Sequence, residues 1–255
     1  MILPLAMLLA AAAPAGPADS RSDKARFDAC VHQSDGDPIA AEKTAADWAR
    51  TGGGVPAAQC LGIALSAAGD WKSATGAFTT AASLAEQTHA PGAAELWVSA
   101  GDAALAGGDA AQARTLLTTA IAAPNLPGQM KGEAYLDRAR ADVAANDLGA
   151  ARGDMDQALA LVPADPVAWL LSATLARRMG DQARATTDIK QAETRAPDSP
   201  EVLFEAGNIA AAGGDMIDAR AQWTRAVAVA PTGDIAQQAR AELAATQDGA
   251  PKPER

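Results

Sequence analysis

Short amphipathic segments with the periodicity of a helix occupy most of the chain. The segment from Asp215 to Ala230 is typical, because its apolar residues Ile217, Trp223 and Val227 recur near the helical period. Pro231 follows this segment and cannot continue a helix. Segments of this kind predict an all-α protein built of short helices.

A dipeptide of Gly or Asn followed by Asp starts six such segments. Its Asp residues lie 33, 39, 38, 34 and 34 residues apart by subtraction, at Asp37, Asp70, Asp109, Asp147, Asp181 and Asp215. Four residues after each Asp the sequence has an Ala, at Ala41, Ala74, Ala113, Ala151, Ala185 and Ala219. A recurrence of this length is typical of stacked helical repeats.

The dipeptide has a physical interpretation as the turn between two paired helices. Gly or Asn adopts the left-handed conformation that ends a helix, and Asp then caps the next helix, which stabilises it by ~1 kcal/mol. The Ala that follows is expected at the contact between the paired helices, since a larger side chain would push their axes apart. Each repeat is therefore predicted to be a helix, a tight turn and a second helix.

Large and small residues also recur at fixed positions. The last three repeats carry them at Tyr135, Ala139, Ala151, Met155, Ala158 and Pro163, at Trp169, Ala173, Ala185, Ile189, Ala192 and Pro197, and at Leu203, Gly207, Ala219, Trp223, Ala226 and Pro231. This pattern resembles the tetratricopeptide repeat, a helical hairpin of 34 residues. The second and third repeats fit with longer connections. The first is degenerate, because Ala45 and Trp48 exchange the large and small positions.

The resemblance implies an all-α, right-handed solenoid of about six hairpins with a C-terminal capping helix. The predicted units cover about 22–54, 55–91, 94–127, 132–165, 166–199 and 200–233, followed by an end helix at 234–247 and a disordered tail at 249–255. No single hairpin buries enough apolar surface to fold alone, so the units are expected to stack. Their first helices would then line a concave groove.

Residues 1–18 are predicted to be a signal peptide. The run from Ile2 to Ala13 is apolar except for Pro4 and is shorter than the ~20 residues needed to span a bilayer. Small residues follow it and allow cleavage after Ala15 or Ala18. No Lys or Arg precedes the run, which is atypical of a signal. A periplasmic or secreted protein is the favoured interpretation, and a cytoplasmic protein is the alternative.

Composition narrows the function classes. The net charge of −10 argues against nucleic-acid binding, which needs clustered Lys and Arg. Aromatic residues make up only 4% of the chain, which disfavours a β-sandwich or barrel. With two Cys and two His, a dedicated metal site is not expected. The abundance of Ala, Gly, Arg and Asp suggests a high-GC bacterium.

The resemblance also implies a protein-interaction surface on the first helices of the last four units. Its candidate contact residues are Val98, Asp102, Leu136, Arg140, Leu170, Thr174, Arg177, Phe204 and Asn208. This mixture favours an amphipathic or extended peptide held by apolar pockets and charges. The alternative is that the aliphatic members only complete the packing between helices. A subset of the family clamps a C-terminal carboxylate with Lys, Asn and Arg, but Asn208 alone matches, which disfavours that mode.

Cys30 and Cys60 occupy the ninth position of the first unit and the sixth position of the second. In a stack of this kind these positions face each other across adjacent first helices, which favours a disulfide. The bridge would fasten the degenerate first unit and contribute ~3–4 kcal/mol. The alternative is two buried free thiols that act as small apolar residues.

No catalytic arrangement is evident in the sequence. Cys30 and His32 are two residues apart on one helix and point in different directions, which disfavours a nucleophile and base pair. Gly52–Gly54 lacks the Lys and Ser or Thr of a phosphate loop. The sequence therefore predicts a protein that is not an enzyme and binds no cofactor.

The favoured function is a non-catalytic scaffold or adaptor of the bacterial envelope that binds a protein or peptide partner. No nucleic-acid partner and no membrane span are predicted. The alternatives are a homo-oligomerising structural module and a recognition subunit of a separate envelope enzyme.

Overall fold

The computed structural model describes residues 20–248, and the predicted signal peptide and tail lie outside this range. Within it the chain forms thirteen α-helices and no strand. Their bounds are α1 Ser20–Gly36, α2 Pro38–Arg50, α3 Gly54–Ala67, α4 Trp71–Gln87, α5 Ala93–Ala106, α6 Ala110–Ala122, α7 Gly128–Ala144, α8 Leu148–Leu161, α9 Pro166–Arg178, α10 Gln182–Arg195, α11 Pro200–Ala212, α12 Met216–Val229 and α13 Asp234–Asp248.

The described helices divide into two compact units, one up to Ala90 and one from Pro91 onward. In the first, α3 packs against α1, α2 and α4. In the second, every helix from α5 to α12 packs against the next, and α13 covers α11 and α12. The all-α fold of six helical hairpins with a capping helix is confirmed.

All six Asp residues of the repeated dipeptide cap the second helix of their hairpin. Each accepts a hydrogen bond from the backbone N–H three residues later, as Asp181 Oδ1 does from Arg184 N at 3.0 Å. The residue before the Asp is left-handed in five hairpins, with φ 77° at Gly180 and 61° at Asn146. The first hairpin differs, because α1 continues through Gly36.

The Ala four residues after each cap is fully buried in all six hairpins. At other contact positions of a hairpin, a small residue on the first helix faces a large residue on the second. A Cβ atom on Gly101 would lie 2.5 Å from Leu117 Cγ, and one on Gly207 would overlap the Trp223 ring. These close approaches bring the two helices of each hairpin together over a core that lies between them.

Candidate functional site

The surface formed by α5, α7, α9 and α11, the first helices of four successive hairpins, is called here the first-helix face. Two of the predicted contact residues are buried beneath it, since Val98 is 5% exposed and Leu136 is 6% exposed. Leu136 belongs to a core cluster with Met155 and Leu159. These two side chains therefore pack between helices, as the alternative interpretation of the aliphatic contact residues predicts.

Leu170 and Phe204 are half-buried on α9 and α11. Leu170 packs against the core cluster that contains Ile189 and Val202, and Phe204 packs against the one that contains Trp223. Each presents only part of its surface to solvent and supports the core with the rest.

Two other predicted contact residues form hydrogen bonds with Glu205 of α11. Arg177 Nε and Nη2 donate to the two carboxylate oxygens of Glu205 at 2.7 and 3.1 Å, which joins α9 to α11. Asn208 donates to Glu205 at 3.2 Å and accepts a hydrogen bond from Trp223 Nε1 at 3.1 Å. Because Glu205 is buried and neutralised by Arg177, this group is a structural clamp on the face.

An acidic pair lies where α5 meets α7. The carboxyl groups of Asp102 and Asp137 share a hydrogen bond, and Arg140 Nη1 donates to Asp137 Oδ1 at 2.8 Å. Loss of water around the carboxyl is the first cause that raises the pKa of Asp102, and the like charges of Asp137 and Glu133 add to it, to bring that pKa to about 7. Asp102 as a residue is exposed, which limits the loss of water around its carboxyl group. Arg140 acts in the opposite direction.

Sequence reasoning missed Asp137 as the partner of Asp102, although a usable signal existed. Asp102 and Asp137 occupy the ninth position of one repeat and the sixth of the next, the same relation that links Cys30 to Cys60. Applied to every pair of neighbouring repeats, that rule identifies the acidic pair.

A pocket of about 260 Å³ opens between α7 and α9, with α8 beneath it. Its lining residues are Ala139, Arg140, Val143, Met155, Leu171, Thr174, Leu175 and Arg178. The backbones of α7 and α9 approach each other less closely than those of α5 and α7 or of α9 and α11, which leaves this space open. The pocket brings together two predicted contact residues, Arg140 and Thr174. The sequence did not indicate Met155, Leu171 or Leu175 as its walls.

The first unit contains a disulfide between Cys30 of α1 and Cys60 of α3, with a Cα–Cα distance of 6.3 Å. Both residues lie in a buried cluster with Ala45, against which Phe27 and Leu61 pack. Other repeats have a large residue at the position of Ala45. In this hairpin the side chain is small, and the disulfide lies beside it in the core. The structure thus has the bridged form that the sequence favours over two free thiols.

The sequence profile of the tetratricopeptide repeat matches residues 61–127, 136–200 and 170–235, and the chain belongs to this family. No curated protein is similar enough to the chain to count as a match. Among the residues that the structure describes, no helix is both long and apolar enough to cross a membrane. In the same range, no three His, Cys, Asp or Glu residues are placed to hold a metal ion.

Several solved structures share the fold. PilW, described as a widely conserved type IV pilus biogenesis factor, is 18% identical with a TM-score of 0.72, and the match covers 86% of this chain and 98% of PilW. PilF of Pseudomonas aeruginosa is 13% identical with a TM-score of 0.66, over 87% of this chain and 99% of PilF. YrrB, described as a tetratricopeptide-repeat protein with an unusual peptide-binding site, is 16% identical with a TM-score of 0.55. The match covers 72% of this chain and 91% of YrrB. At these identities the likeness shows the fold alone.

Proposed function

We propose that the protein is a non-catalytic adaptor of the cell envelope that binds a segment of a partner protein on its first-helix face. Its fold is that of tetratricopeptide-type protein-interaction scaffolds. The observation that carries the proposal is the apolar pocket between α7 and α9, which is open on a face where the neighbouring first helices pack more closely. A pocket of this kind suits a side chain that projects from a bound peptide.

Two features support an envelope location. The apolar run at Ile2–Ala13 followed by small residues has the pattern of an export signal. The Cys30–Cys60 disulfide is a bond that forms and persists in oxidising compartments such as the periplasm. Both point away from the reducing cytosol.

The binding proposal is tested by photo-crosslinking in living cells of the source organism. A photoreactive phenylalanine analogue replaces Thr174 in the pocket, and the matched control replaces Thr187, which is exposed on α10. We expect a discrete protein adduct from position 174 that is missing from position 187, in the envelope fraction. Equal adducts from both positions, or none from position 174, would overturn the proposal.

A homo-oligomerising module is the second candidate, favoured by exposed apolar side chains at two hairpin turns. Met179 and Met216 are 44% and 39% exposed, and Ile217 is 88% exposed. Sedimentation velocity of the full chain and of Ile217→Asp tests this function. An assembly that Ile217→Asp dissociates supports it, and a monomer at all concentrations rejects it.

A further inference from the structure

We propose that the pocket between α7 and α9 receives a bulky apolar side chain of the partner segment, and that Arg178 holds an acidic side chain next to it. This inference rests on the proposed binding function and specifies the chemistry of the partner. It predicts a short motif in which a large aliphatic or aromatic residue adjoins Asp or Glu.

The size and lining of the pocket argue for a side chain as the occupant. Its volume of about 260 Å³ is below the ~300–1,000 Å³ typical of sites for small molecules and cofactors. Val143, Met155, Leu171 and Leu175 provide apolar walls from three helices. A single large side chain would fill such a space and remove these walls from water.

The charges at the rim argue for an acidic neighbour. Arg178 is exposed at the end of α9, and among the described residues it forms no ion pair or hydrogen bond. Its neighbour Arg177 is neutralised by Glu205 and does not compete for a ligand. Arg140 approaches the pocket from α7 and is also exposed. Arg140 is paired with Asp137, so Arg178 is the guanidinium at the rim that is left for a carboxylate, which Arg binds with paired hydrogen bonds.

The other charges of the face define where that carboxylate would lie. Asp137 of α7 pairs with Arg140, and Asp102 of α5 and Glu133 of α7 interact with the same group, so an acidic side chain would be repelled on the Arg140 side of the pocket. The acidic side chain of the partner is therefore expected on the α9 side of its apolar anchor, towards Arg178.

A random peptide library displayed on phage, selected on the immobilised full chain, tests the motif. We expect enrichment of peptides that place Leu, Met or Phe beside Asp or Glu. The affinity of a synthetic consensus peptide, measured by fluorescence anisotropy, should fall ~10-fold with Arg178→Gln, since a charge-assisted hydrogen bond is lost. Thr174→Trp, which fills the pocket, should abolish binding. Arg225→Gln, an exposed position on α12, is the matched control and should leave the affinity unchanged.

The outcomes separate this inference from the function on which it rests. Enriched peptides without acidic residues, or with binding that Arg178→Gln does not weaken, would overturn the motif while the binding function stands. Binding that withstands Thr174→Trp in a protein with unchanged circular dichroism would place the ligand elsewhere and also overturn it. Selection of no peptide above the control would overturn the binding function and the inference together.

Discussion

Residue volumes on the two helices of a hairpin compensate each other. Where the first helix has Gly, as at Gly101 and Gly207, the second has Leu117 or Trp223 within the space that a Cβ atom would need. Where the first helix has Ala139, the second has the more flexible Met155 in the same cluster. The residue pair, and not either residue alone, therefore sets how closely the helices approach.

We expect Gly207→Ala to destabilise the protein by ~1–3 kcal/mol, because the new methyl group overlaps the ring of Trp223. Helix propensity alone predicts the opposite sign, a gain of up to ~1 kcal/mol. Gly153→Ala on α8 is the matched control, since nothing lies within 4 Å of its added Cβ atom, and it should be neutral or stabilising. Urea denaturation measures the free energy of unfolding of both variants. Equal changes in the two variants would contradict the close contact between Gly207 and Trp223.

The acidic pair makes stability depend on pH in a defined window. The pKa of Asp102 is raised to about 7 in the fold, against an ordinary value of ~3.9, so the folded state binds a proton more tightly than the unfolded chain. Between these values stability falls as pH rises, and the loss is complete above about pH 7. Asp102→Asn removes this cost, so it should stabilise the protein at pH 8 by ~1 kcal/mol, after allowance for solvent screening, and have little effect at pH 4.

Carbon-13 NMR of the Asp102 carboxyl measures the titration directly. Asp137→Asn removes the neighbouring charge and should lower the pKa of Asp102. A wild-type midpoint in the ordinary range of an aspartate would contradict the raised pKa of Asp102.

At the scale of the helix, a part-buried ion pair connects α7 to α8. Arg138 of α7 donates two hydrogen bonds to the Asp154 carboxylate, at 2.6 and 2.7 Å, and a third to Thr118 of α6. Asp188 of α10 similarly accepts from Ser172 of α9 at 2.5 Å and from Arg184 at 3.2 Å. Polar pairs thus take part in holding helices of the stack together beside the apolar core.

Removing one partner of the Arg138–Asp154 ion pair should destabilise the protein more than removing both. We expect Asp154→Ala to destabilise the protein by ~2 kcal/mol, because it leaves the part-buried guanidinium of Arg138 without its counterion. The double variant Arg138→Met with Asp154→Leu should recover most of that loss, since it leaves no unpaired charge. Thermal unfolding of the two variants tests this, and a double variant no more stable than Asp154→Ala would contradict it.

The helix ends were predictable from sequence, whereas these ion pairs were not. A cap such as Asp181 acts on a backbone N–H three residues away, so its signal is local. Arg138 and Asp154 are 16 residues apart, and their pairing depends on how two helices rotate against each other. For the same reason the sequence left open whether aliphatic positions such as Val98 and Leu136 are buried, and it did not indicate the gap between α7 and α9.

At the scale of the molecule, the chain is two compact units that are stabilised in different ways. The second unit consists of hairpins with matched large and small residues and a capping helix. The first contains the degenerate hairpin, where Ala45 replaces a large core residue and the Cys30–Cys60 bridge lies in the same cluster. A covalent bond between α1 and α3 therefore compensates for apolar packing that the sequence of this hairpin does not provide.

Loss of the Cys30–Cys60 bridge should destabilise the first unit. Cys30→Ser with Cys60→Ser should lower the free energy of unfolding of the first unit by ~3–4 kcal/mol, because a bridge across 30 residues restricts the unfolded chain. Hydrogen exchange read by mass spectrometry should show the largest increase in α1, since α3 keeps its pairing with α4 through Gly62 and Phe78. Peptides from α11 and α12 provide the internal reference. If α1 kept its wild-type protection in the double variant, Phe27 and Leu61 would suffice to hold it, and the bridge would not be what secures the degenerate hairpin.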